Sequence, residues 1–147
     1  MSKTILLIDD DLDDTEIFEE ALTEINPAIL FYKAENGQDA FNKLQGKEVG
    51  QPDIIFLDVN MPGMNGWQFL TKLKTEAAYH NIPVIMYSTS SAKKDIAIAE
   101  DLGAVGFLTK PADYKGLKKA LLLLLAQTSP DGLRQSVEDI KKMEWYS

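Results

Sequence analysis

Five short apolar runs punctuate this chain, and each gives way to polar residues at its carboxyl end. Thr4–Ile8 stops at Asp9, Ile29–Tyr32 at Lys33, Ile54–Leu57 at Asp58, Pro83–Tyr87 at Ser88, and Val105–Leu108 runs out toward Lys110 and Pro111. Runs this apolar show no alternation, so neither face of such a strand is left for water. Between them lie segments of helical period. Leu12–Ile25 sets Ile17, Phe18, Ala21, Leu22 and Ile25 on one face and ends at Asn26-Pro27. Asn36–Leu44, Trp67–Ala78, Ala92–Leu102 and Tyr114–Ala126 complete the set, with Phe69, Leu70 and Leu73 inward in the third. Strictly alternating strands and helices predict a parallel sheet covered on both faces.

At 147 residues the chain suits one domain, since division would leave two poorly buried cores. Right-handed crossovers at this size predict an α/β, flavodoxin-like, doubly wound sheet of five strands in the order 2-1-3-4-5 with five helices. We place this domain at residues 1–127 and a C-terminal extension, helical by its spacing, at 128–147. The absence of cysteine excludes disulfides, thiolate metal sites and cysteine nucleophiles, and fits a cytoplasmic location. The N-terminus lacks the apolar length of a signal peptide, and the longest apolar stretch, Ala120–Ala126, is far short of a membrane span. A net charge of −8 works against binding nucleic acid.

In an open parallel sheet, ligands gather beyond the carboxyl ends of the strands where the strand order reverses. Here that edge collects Asp9 and Asp10 from strand one, Asp58 from strand three, Ser88 from strand four and Lys110 from strand five. Any one of these is an ordinary strand terminator; together they describe a site. Three neighbouring carboxylates repel unless a proton or cation intervenes, and hard oxygen donors favour Mg²⁺. Lys110 supplies a point positive charge, Ser88 a hydroxyl donor, and Asp58 a carboxylate able to form an acyl phosphate.

The segments ILLIDDD, IIFLDVNMPGMNGW, PVIMYSTS and GFLTKP resemble, in order and spacing, the response-regulator receiver domains of two-component signalling. The resemblance covers roughly residues 3–126. It implies a single-domain response regulator that takes a phosphoryl group on Asp58 from a sensor histidine kinase or a histidine phosphotransfer protein. It assigns Mg²⁺ to Asp10, Asp58 and the main-chain carbonyl of Asn60, with Asp9 acting through water. It makes Ser88 and Phe107 the switch pair, and it implies a cis bond between Lys110 and Pro111. Thr89 stands where the family often has a smaller residue, and Phe107 lacks the hydroxyl of the more usual tyrosine. Such a chain is not an enzyme acting on a separate substrate, although it catalyses its own aspartate phosphorylation and dephosphorylation.

Two rivals use the same acids. Asp9, Asp11, Asp13 and Glu20 fall at calcium-loop positions, but Asp14 replaces the required glycine and a strand precedes the run. Asp11-Leu12-Asp13-Asp14-Thr15 spells the signature of haloacid-dehalogenase-like phosphatases, yet Asp9, not Asp11, ends the strand. A small aspartate-nucleophile phosphatase is therefore the alternative reading. Asp11, Asp13 and Asp14 are expected to be bystanders to phosphorylation. His80 reads as a surface loop residue, and Trp67 as packing at the start of the third helix.

No output module is expected in residues 127–147, so output falls to an unidentified downstream protein. Leu117, Leu121, Leu124 and Leu125 suffice to pack the fifth helix, leaving Leu122 and Leu123 partly outward. Past Thr128–Gly132, Leu133, Val137, Ile140 and Glu144, flanked by Met143 and Trp145, form a second helical stripe. It is expected to fold back along the fifth helix or to cross to a second subunit in a homodimer.

Overall fold

The computed structural model describes residues 3–46, 50–61, 63–89, 93–143 and 146. Pro62, Ala92, Glu144 and Trp145, which enter the readings above, lie outside the described residues. The elements follow in the order β1 (Thr4–Ile8), α1 (Leu12–Ile25), β2 (Leu30–Ala34), α2 (Gly37–Gln45), β3 (Ile54–Leu57), α3 (Gly66–Thr75), β4 (Val84–Ser88), α4 (Lys93–Asp101), β5 (Gly106–Thr109), α5 (Tyr114–Leu125) and α6 (Pro130–Lys141). All pairings are parallel and the strand order is β2-β1-β3-β4-β5. The switch point therefore lies between β1 and β3, as the crossover rules require.

Pleating divides the apolar strands between two cores. Leu6, Ile8, Ile55, Leu57, Val84, Met86 and Phe107 pack beneath α2, α3 and α4. Ile5, Leu7, Ile54, Phe56, Ile85, Tyr87 and Leu108 pack beneath α1, α5 and α6. Phe18 of α1 anchors the second core, edge-on to Phe56 and Tyr87 at centroid distances of 5.0 and 5.6 Å.

The helices begin where side-chain oxygens can satisfy free amides. Asp11, Asn36, Asn65, Asp113 and Ser129 accept from the backbone of α1, α2, α3, α5 and α6, and Gln68 completes a capping box with Asn65. Two expectations need correction. Ile17 is exposed, because the buried face of α1 runs through Thr15, Phe18, Ala21 and Leu22, about 100° away. The third helix stops at Thr75, where Glu76 turns extended, and the chain reaches Pro83 through turns closed by Tyr79 and His80 amides on the Glu76 carbonyl.

α6 folds back within its own chain, against β5 and α5. Leu133, Val137 and Ile140 are buried, while Leu122 on α5 stays 49% exposed. The Thr109 amide, on β5, donates to the Tyr146 hydroxyl at 2.8 Å. At the other end of the sheet the Lys3 ammonium donates to the Gln127 carbonyl, tying the chain start to the α5–α6 turn.

Candidate functional site

β1 and β3 deliver the acids. The Asp58 amide donates to the Ile8 carbonyl at 2.9 Å, continuing the ladder one residue past β3 and setting Asp58 at the end of β1. Asp9 is buried and Asp10 exposed, since successive residues leave a strand end in opposite directions. One carboxylate oxygen from each of Asp9, Asp10 and Asp58 lies within 4.8 Å of the others. Asp9 is held by the Asp11 amide on its Oδ1 at 2.9 Å, and Asp58 by the Asn60 amide on its Oδ1 at 3.3 Å. An open groove beside them is lined by Asp10, Val59, Asn60, Met61, Asn65 and Trp67.

β4 and β5 deliver the rest. Ser88 is the last residue of β4 and is fully buried. The Lys110 amide donates to the Ser88 carbonyl at 2.8 Å, which fixes where the lysine leaves the sheet. Its ammonium lies 2.8 Å from Asp9 Oδ2, 2.8 Å from Asp14 Oδ2 and 3.9 Å from Asp58 Oδ2. It also stands 5.6 Å from the centre of the Tyr87 ring. Phe107 is 2% exposed and turned into the core under α2–α4. The cis bond implied for Lys110–Pro111 is absent: among the described residues every peptide bond is trans, the form that even proline intrinsically favours.

Burial pushes the Asp58 carboxyl up to about 6; Lys110 and the Asn60 amide oppose the rise, while Asp9 and Asp10 add to it. For Lys110 burial disfavours the charge, but the hydrogen bond to Asp14 and the close Asp9 carboxylate more than offset it and raise its pKa. The Tyr87 hydroxyl is likewise raised, by burial and then by Asp14 and Asp9. The site thus holds more negative than positive charge. Asp9 Oδ2 is buried and has the ammonium as an ionic neighbour, yet receives no well-directed hydrogen bond among the described residues. A cluster of hard oxygen donors with surplus negative charge and an unsatisfied buried oxygen fits Mg²⁺.

The structure brings together Asp9, Asp10, Asp58 and Lys110, with Ser88 and Asn60 at adjoining strand ends; Phe107 lies deeper, in the core. It also adds Asp14, which the sequence reading treats as a bystander. The signal for it is helical phase: Asp14 precedes Phe18 by four residues and so shares the face that α1 turns to the sheet. Asp11, the nucleophile of the phosphatase alternative, caps α1 by accepting from the Asp14 amide at 3.1 Å. His80 is exposed, and Trp67 is half-buried against the α3 core beside Asp10.

A doubly wound sheet of this order, with aspartates and a lysine converging on its carboxyl edge, places the chain among receiver-type α/β domains. It belongs to the response regulator receiver domain family, whose model matches residues 5–122. It is 33% identical over 122 residues to the protein PilH of Pseudomonas aeruginosa, covering 83% of this chain and 97% of PilH. The crystal structure of the phosphorylated cyanobacterial phytochrome response regulator RcpA superposes with a TM-score of 0.74 at 28% identity, covering 81% of this chain and 88% of that one. The Mn²⁺-bound form of response regulator Rcp1 matches with a TM-score of 0.71 at 28% identity, covering 80% and 87%. The phosphatase alternative finds no support in these comparisons. No helix among the described residues is long and apolar enough to cross a membrane.

Proposed function

We propose that this receiver domain accepts a phosphoryl group on Asp58 from a phosphohistidine of a sensor kinase or phosphotransfer protein, and thereby switches a protein-binding face. The observation that carries the reading is the position of Asp58: buried at the end of β3, 3.9 Å from the Lys110 ammonium and beside Asp9 and Asp10. An Asp58 oxygen attacks phosphorus, the phosphorus–nitrogen bond to the donor imidazole breaks, and the imidazole leaves and takes up a proton from water. Lys110 faces the negative charge gathering on the phosphoryl oxygens, and the Ser88 hydroxyl donates to one of them.

Asp9, Asp10, Asp58 and the Asn60 carbonyl would hold Mg²⁺, which when bound offsets the carboxylate charge and tethers the incoming phosphate. The domain is then a participant in its own phosphorylation and hydrolysis rather than an enzyme with a separate substrate. Ser88 drawn toward the phosphate leaves room for Phe107 to turn, and the α4–β5–α5 face changes for a downstream protein. A donor of this kind places the domain in the cytoplasm.

Acetyl phosphate with Mg²⁺ should add one phosphoryl group to the intact mass, and Asp58→Asn should abolish the gain. Asp10→Asn and EDTA should each suppress it. Label that persists on Asp58→Asn sinks the assignment and points to Ser88.

A further inference from the structure

We infer that Asp14 is a positioning residue that holds Lys110 off Asp58 in the unphosphorylated domain and yields it to the incoming phosphoryl group. The inference rests on the function proposed above and adds a part to it. Lys110 Nζ is shared equally between Asp9 Oδ2 and Asp14 Oδ2, at 2.8 Å each, and is more than an ångström farther from Asp58 Oδ2, at 3.9 Å. Of the two, Asp14 accepts a directed hydrogen bond from the ammonium while Asp9 is its ionic neighbour, so the lysine is engaged before any phosphate arrives.

The two partners differ in what their loss costs. The Asp9 side chain is 0% exposed and its Oδ2 has no other neighbour to satisfy it among the described residues, so losing Lys110 would leave a bare buried charge. The Asp14 side chain is 35% exposed in the first turn of α1, where water and the helix N-terminus both accommodate a free carboxylate. Asp14 is therefore the partner that Lys110 can exchange. A phosphoryl oxygen on Asp58 takes over the ammonium, Asp9 keeps its share, and Asp14 swings to solvent at the start of α1. Until that exchange, Asp14 both detains the lysine and repels the anionic donor.

The test compares phosphorylation rates of the full chain with acetyl phosphate and Mg²⁺, read by intact mass, for Asp14→Asn, Asp14→Glu and Asp13→Asn. Asp13 is the control, because it is exposed one residue away and makes no ion pair with Lys110. Asp14→Asn should phosphorylate about two- to five-fold faster, the range expected for one partly exposed ion pair. Asp14→Glu should return toward the parent rate, and Asp13→Asn should stay near it. In metal-free protein, a thermal-stability cycle with Asp14→Asn, Lys110→Met and the double variant should show coupling between the two sites. An unchanged or slower Asp14→Asn, an equal gain in Asp13→Asn, or no coupling in the cycle overturns the inference. Failure of the parent protein to take label on Asp58 would instead remove the function on which it rests.

Discussion

Val137 of α6 rests directly on the backbone of Gly106 at the start of β5, so closely that a β-carbon on the glycine would come within 2.8 Å of the valine Cγ2. The contact seats α6 against the strand that leads to Phe107 and Lys110. Gly106→Ala should therefore cost about 1–3 kcal/mol through overpacking, and Val137→Ala should recover much of that loss in the double variant. Thermal unfolding of the two single variants and the double decides it; strict additivity would mean the helix is not pressed on the strand.

A second glycine presses on Asp58, the proposed acceptor. A β-carbon on Gly66 would meet the Asp58 carbonyl oxygen at 2.3 Å and the Val59 α-carbon at 2.8 Å, and backbone atoms cannot step aside as a side-chain tip can. The Gly66 amide also donates to the Val59 carbonyl at 2.9 Å, which ties α3 to the segment after β3. Gly66→Ala should destabilise by more than about 1 kcal/mol and slow acetyl-phosphate labelling of Asp58. Labelling at the parent rate in a destabilised variant would show that the strain is absorbed away from the acceptor.

The buried Asp58 carboxyl carries a cost in the metal-free protein. Its pKa rises from an ordinary 3.8 to about 6, so the folded state binds that proton more tightly than the unfolded chain. The sign follows: stability linked to this group is highest below the unfolded pKa and falls as pH rises through about 6. The full difference corresponds to roughly 3 kcal/mol at most. In EDTA at pH 7, Asp58→Asn should melt several degrees above the parent protein, with the gap closing as pH falls toward about 4. Mg²⁺ should narrow the gap at pH 7 by favouring the charged carboxylate. A variant that melts lower than the parent at pH 7 in EDTA contradicts this.

Much of the fold was legible because burial on both faces leaves a strand no pattern but continuous apolarity. Ile5–Ile8 and Ile54–Leu57 could be nothing else, and the acids that stop them had to meet at the edge where β1 and β3 adjoin. What escaped was governed by phase and by packing at a distance. Ile17 looked inward because it neighbours Phe18, yet one residue is about 100° of turn. Asp14 was lost in a run of acids, since composition does not say which of five aspartates faces the sheet. The trans bond before Pro111 departed from the family's habit, and no residue nearby announced it. α6 was legible as a helix from Leu133, Val137 and Ile140, but its seat on β5 depended on the missing side chain of Gly106.

The seat of α6 makes a final prediction about the extension. Leu133, Val137 and Ile140 are 3%, 0% and 0% exposed, and they close the core that also holds Leu117, Leu121 and Leu124 of α5. Val137→Asp would place an unpaired carboxylate against Gly106, at a cost that exceeds what one helix can hold. The expected outcome is local: α6 leaves β5, its amides exchange with solvent, and melting falls by at least about 5 °C. Asp58 should still take label, because its bonds to Ile8 and Asn60 and its neighbour Lys110 lie outside α6. Hydrogen exchange that leaves residues 130–141 as protected as in the parent would show that α6 keeps its place without this contact. Loss of labelling together with loss of α6 would show instead that the helix holds β5, and with it Lys110, in the working position.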